Sequence, residues 1–187
     1  MKRILIAGLV GGVIVFGWGV VSHMVLPLGK TGLRSLPSEG PVLSALAGSV
    51  PEAGLYFFPG FDMEATQTPE QEAAWMERYR SGPAGLLVYR PRGGEPFTLS
   101  MLLVELVSNL LAAWVAAFIV SFIGGPYGRR VVVIVLMGLF AWMSLSISYW
   151  NWYGFPGDFI VAEGIDQVVG WLLGGLGIAL LVPAAGR

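Results

Sequence analysis

The chain has 187 residues, 55% of them hydrophobic and 12% charged, with a net charge of −1 and a mean hydropathy of +0.71. Soluble domains carry about twice that share of charge, so an ordinary soluble domain and a disordered tail are excluded, as is a nucleic-acid binder, because there is no basic stripe. With no cysteine and a single histidine, His23, the chain also lacks the means for a disulfide framework, a thiolate metal site, a cysteine nucleophile or a multi-histidine centre.

What remains is an integral membrane protein, and its spans are found by length. A crossing helix needs about 20 mostly apolar residues. The first such stretch runs from Ile4 to about Pro27, just after Lys2 and Arg3. It is longer than the apolar core of a cleaved signal peptide, and no small-x-small site precedes Leu28, so it reads as a signal anchor.

Residues 28–98 form a Pro- and Gly-rich insert. Ser38, Glu39 and Pro41 open a short helical run that Pro51 closes. GLYFFPG at 54–60 and GLLVYRP at 85–91 are strand-like runs bounded by turn residues. Between them Thr68-Pro69-Glu70-Gln71 starts a helix: Thr68 caps, Pro69 suits the first helical position and Gln71 completes a capping box. Gly82 stops that helix, which carries Trp75, Met76 and Tyr79 on one face. The two strand-like runs share a Pro/Ala-Gly-Leu pattern, which predicts paired strands beneath the Trp75 helix. Such an insert is marginal alone, and it reads as a small α+β cap leaning on helices, lipid headgroups or another protein.

Three more spans follow, at about 99–123, 131–150 and 159–182. The last is the least apolar, since it holds Glu163, Asp166 and Gln167. Lys2, Arg3, Arg129, Arg130 and Arg187 then fall on one side, with no acid among them, whereas residues 28–98 hold six Lys/Arg against eight Asp/Glu. Cations gather on the cytoplasmic side. The expectation is a plasma-membrane protein with both termini cytoplasmic and residues 28–98 extracytoplasmic. Tyr149, Trp150, Trp152 and Tyr153, in the link before the fourth span, suit the outer headgroup layer.

Ionisable side chains within a bilayer are costly and default to functional candidates. At 1.5 Å per residue, His23, Glu105, Glu163 and Asp166 each lie within roughly 12 Å of the outer boundary. Asn109 sits one turn from Glu105, and Ser144 and Ser148 occupy the outer half of the third span. All four helices thus bring polar groups to one depth. Stripes of Gly and Ala continue the same faces inward, so the polar groups are expected to face other helices. The inner halves should pack closely and the outer halves should open around the cluster.

The chemistry of that cluster stays open. A structural polar network, a proton, ion or small-ligand pocket, and a divalent-metal site all use these residue types. The Glu-x-x-His pairs of carboxylate-bridged bundles are missing, and no metal or cofactor is implied. No phosphate-binding loop, dinucleotide fingerprint or catalytic triad is present, so neither a nucleotide nor a nucleic acid is an expected partner and no enzyme activity is assigned. The expected fold is an all-α membrane bundle of four helices with the α+β insert between the first two. The expected role is an accessory, scaffold or assembly subunit of a larger membrane complex, with an energy-transducing complex among the candidates. The partners would then be the lipid bilayer and other membrane subunits. The alternative is ligand, ion or proton binding or transport through the polar cluster.

Overall fold

The computed structural model describes residues 1–61 and 66–182, so Arg187, counted above among the inner cations, lies outside the described residues. In chain order the elements are α1 (Lys2–Val20), α2 (Glu39–Ser49), β1 (Gly54–Phe58), α3 (Pro69–Ser81), β2 (Gly85–Tyr89), α4 (Leu99–Ser121), α5 (Tyr127–Tyr153) and α6 (Gly157–Leu181). The chain divides into two compact units, Met1–Leu33 with Pro96–Arg187, and Arg34–Glu95.

The larger unit contains the four long helices. Each is long and apolar enough to cross a membrane, and each leaves large apolar side chains uncovered; Phe140, for example, is 73% exposed. In water that surface would be untenable, whereas in hydrocarbon it is the expected exterior. The helices pack in the order α4, α1, α6, α5, with only slight contact between α4 and α5.

Small residues make the close approaches. A Cβ added to Gly12 would lie 2.7 Å from Leu110 Cα, and one on Gly11 would lie 3.5 Å from the Gly174 carbonyl oxygen, so α1 meets α4 and α6 nearly backbone to backbone. Gly138 and Gly164 seat Trp171 and Trp142 between α5 and α6. The tightest core is made of Ala7, Ala113, Ala116, Ala117, Val120, Ile134, Ile178 and Val182, at the end of the unit where α4 turns into α5.

Indole and phenol groups tie the helices at intervals. Trp114 Nε1 donates to Leu5 O (2.9 Å), Trp142 Nε1 to Ile160 O (2.8 Å) and Tyr127 Oη to Leu176 O (3.0 Å). Each bond gives a polar donor a partner where lipid offers none.

Three local features depart from expectation. The third long helix extends beyond 131–150 at both ends, because it starts directly after Pro126 and stops only at Gly154. Gly154 takes φ +71°, and the N–H groups of Gly154 and Phe155 both reach Tyr149 O. Tyr149, Trp150, Trp152 and Tyr153 therefore belong to the last turns of α5 and not to a link. The end of the first long helix is a π turn over Val21–Val25. Arg130, one of the two cations between the second and third spans, is 7% exposed, with Nε and Nη1 unbonded, while Arg129 is exposed.

The smaller unit is built around an antiparallel pair. Leu55 faces Val88 and Phe57 faces Leu86 across β1 and β2. Helix α3 packs on one end of that face through Phe57–Tyr79 (6.1 Å between ring centres) and Phe61–Trp75 (4.9 Å), and Trp75 Nε1 donates to Pro59 O (3.0 Å). The expected capping box is present: Gln71 N donates to Thr68 Oγ1 (3.3 Å) and Thr68 N to Gln71 Oε1 (2.9 Å). Leu55 and Val88 remain 66% and 78% exposed, and α2 buries no residue.

Candidate functional site

A cavity of about 650 Å³ lies between α1, α4 and α6, towards the ends of these helices away from the α4–α5 turn. Ser22, His23 and Met24 occupy the π turn, whose wider loop is closed by Leu26 N donating to Val21 O at 2.8 Å. A π turn adds a residue per turn and re-aims the side chains beyond it. His23 Nδ1 lies 2.9 Å from Ser22 Oγ and 3.2 Å from Gly19 O, so in the Nδ1-protonated tautomer the ring donates to the Gly19 carbonyl. Gly29 presses on the other side of that imidazole, where a Cβ would come within 2.7 Å of Cδ2.

On α4, Thr98 caps the first turn by accepting from Met101 N (3.3 Å). Glu105 comes about 9 Å further along the helix. Its Oε1 accepts from Asn109 Nδ2 (3.0 Å), while Ser108 Oγ turns back to Glu105 O (2.9 Å). On α6, Glu163 and Asp166 lie within the first three turns. Gly170 leaves room for the Trp18 ring, and Trp18 Nε1 donates to Asp166 O (3.1 Å). Trp171 Nε1 donates to Gln167 Oε1 (3.1 Å). Asp166 Oδ1 is buried with no hydrogen-bond partner.

The structure brings His23, Glu105, Asn109, Glu163 and Asp166 to the lining of this one cavity. It does not bring Ser144 or Ser148 there. Ser144 Oγ bonds to Ala141 O (3.2 Å) on its own helix, Ser148 is exposed, and Ala141 is the residue of α5 that lines the cavity. The cause is the seating of Trp171 at Gly138 and of Trp142 at Gly164, which sets the rotation of α5 on α6. Tyr149, Trp150, Trp152 and Tyr153 lie off the cavity as well. Tyr149 instead stacks with Phe155 at 5.4 Å.

Further lining residues come from positions with no polar signal, namely Phe16, Trp18, Phe97, Met101 and Trp171. Hydropathy alone does not separate these from lipid-facing residues. Helical phase carries some trace of them: Phe16 shares the stripe of Gly12, Gly19 and His23, and Met101 and Trp171 stand four residues from Glu105 and Gln167. Helix α5 supplies a single lining residue, Ala141, and has little contact with α4, so the cavity is walled almost entirely by α1, α4 and α6.

No lysine or arginine lines the cavity among the described residues. Nor, among the described residues, do three His, Asp or Glu side chains group closely enough to hold a metal ion. The site therefore combines acidic oxygens and carboxamides with aromatic and aliphatic walls, an arrangement suited to holding a small molecule. No protein-family model, no curated protein and no solved structure matches the chain.

Proposed function

We propose that this chain is a multi-pass integral membrane protein that binds a small ligand in a polar cavity within the outer half of its four-helix bundle. On this reading both termini are cytoplasmic and residues 28–98 extracytoplasmic. The orientation is supported by Lys2, Arg3, Arg129 and Arg130 at the inner ends, and the binding role by one observation. Three carboxylates from two helices line an open cavity of about 650 Å³ with His23 as the single basic side chain beside them and no lysine or arginine among the described residues, an excess of acid that is costly within a membrane.

The native chain has no cysteine, so a single introduced thiol reports its own surroundings. A maleimide reacts with the thiolate, which forms in water and not in lipid. S108C, on the cavity wall, should label many-fold faster than V104C, which lies one turn away and outside the lining. Equal rates at the two positions would refute a hydrated cavity.

A second reading, an accessory subunit of a larger membrane complex, is favoured by the smaller unit. Its cross-strand pair Leu55 and Val88 is uncovered, and α2 is exposed apart from a half-buried Leu46. Native membranes solubilised in mild detergent should then yield a defined complex; a chain that always purifies alone counts against it.

A further inference from the structure

We infer that the ligand of the cavity is an amphipathic organic cation: one positively charged nitrogen on an apolar body. This rests on the binding role proposed above and adds the chemical class. The lining carries Glu105, Glu163 and Asp166, and the one further ionisable group is His23. Glu105 has Asn109 as a partner, but Asp166 Oδ1 is buried and bonded to nothing. An orphaned buried acceptor carries the full penalty of its lost hydration. A cation at that point removes the penalty for Asp166 and offsets the charge on Glu163 three residues earlier.

The walls decide what the cation is attached to. Trp18 and Trp171 have their indole N–H groups already bonded, to Asp166 O and Gln167 Oε1. What they still offer a ligand is ring surface, and aromatic rings hold ammonium groups as well as apolar chains. Phe16, Phe97 and Met101 extend the apolar wall. An inorganic cation needs several converging oxygens, and no three of the acidic and imidazole groups converge among the described residues. An anionic headgroup would meet three acids against the single imidazole of His23. A neutral hydroxyl could bond Asp166 Oδ1 but would bring no positive charge to set against the acids. The cavity is not enclosed, so an apolar tail can extend out of it while the nitrogen stays on the acids.

The test uses the full chain in nanodiscs of phosphatidylcholine, with empty discs as the partition baseline. Three radiolabelled probes share one chain length: dodecylammonium, whose N–H groups can donate to Asp166 Oδ1, dodecanol and dodecanoate. The cation should bind saturably, one per chain, and the other two should only partition. Glu163→Gln and Asp166→Asn should each weaken cation binding on the order of tenfold, the effect of losing one close charge–charge contact. Glu105→Gln, on the open and more exposed side, serves the same purpose if Asp166→Asn does not fold. Saturable binding of dodecanol or dodecanoate with none of the cation overturns the ligand class and leaves the cavity a binding site. Cation binding that ignores all three substitutions overturns the class too. Absence of saturable binding by every probe overturns the binding role itself.

Discussion

Adding one methyl group at Gly12 should damage the protein, while adding the same group at Gly17 should not. A Cβ at Gly12 would stand 2.7 Å from Leu110 Cα and 3.0 Å from Leu110 N. Carbon atoms in good contact are about 3.5–4.0 Å apart, so α4 would have to retreat by about 1 Å. The obstacle is backbone, which cannot swing aside as a side chain can. One turn away the bond from Trp114 Nε1 to Leu5 O, at 2.9 Å, holds the same two helices together. Overpacking of this kind costs about 1–3 kcal/mol. Gly-to-Ala also raises helix propensity by about 1 kcal/mol wherever it is made, and Gly17 isolates that gain, since nothing lies within 4 Å of its Cβ position. The difference between G17A and G12A is therefore the packing term alone. It should appear as about 1–3 kcal/mol in unfolding of both variants in the same micelle, with G12A the less stable. Equal shifts in the two variants would refute the close α1–α4 approach.

Two further outcomes follow from single hydrogen bonds. Trp18→Phe keeps an aromatic wall but removes the donor to Asp166 O, and a hydrogen bond between membrane helices is worth about 0.6 kcal/mol on average, with a maximum near about 1.7; an unfolding loss in that range is expected, and none at all would mean that the bond does not tie α1 to α6. In the smaller unit, Thr68→Ala should weaken the start of α3 by about 0.5–2 kcal/mol, seen as faster amide exchange over residues 71–77 of the full chain. Glu70 adds a pH dependence there, because its own backbone N–H and then the Thr68 hydroxyl hold its carboxyl below the usual value. A carboxyl lowered in the folded state stabilises above its ordinary pKa, and that contribution disappears as pH falls through the lowered value. Protection of α3 should thus decline on acidification, and Glu70→Gln should flatten the decline; an unchanged profile in that variant would rule Glu70 out.

The parts of this structure that are legible in the sequence are those set by composition and by distance along a helix. Four long apolar runs give four long helices, because backbone groups without water must bond within their own segment. The strand pair of the smaller unit and its capped α3 are written in Pro, Gly, Thr and Gln at fixed offsets. Residues 23, 105, 109, 163 and 166 share a depth that follows from a rise of about 1.5 Å per residue, and they line one cavity. What is not legible is rotation. Ser144 and Ser148 have the right depth on α5, but Trp171 against Gly138 and Trp142 against Gly164 turn them away. Such interlocking depends on two helices at once, so no single-helix pattern contains it. The π turn at Val21–Val25 carries no proline or glycine to announce it, and it is what sets the direction of His23.

The glycine contacts and the cavity are two consequences of one geometry. Gly8, Gly11 and Gly12 on α1, and Gly174 and Gly177 on α6, mark where α1 comes nearest its neighbours. Membrane helices in close contact cross at about 20–40°, so they separate on either side of the contact. Ten residues from the crossing is about 15 Å along the axis, and at those angles the axes have then parted by about 5–10 Å. His23 lies eleven residues beyond Gly12, and Glu163 eleven before Gly174. That is the distance at which a gap the size of a small molecule has opened. The acids therefore sit where the crossing makes room and could not be moved to the glycine end, where neighbouring backbones nearly touch and no space remains for a charged side chain or its counter-ion. On this geometry a bulky residue at Gly11 or Gly12 would push α1 away from Gly174 and Leu110 and so reshape the cavity, whose lining begins within a turn of these contacts at Val15, Asn109 and Gly170.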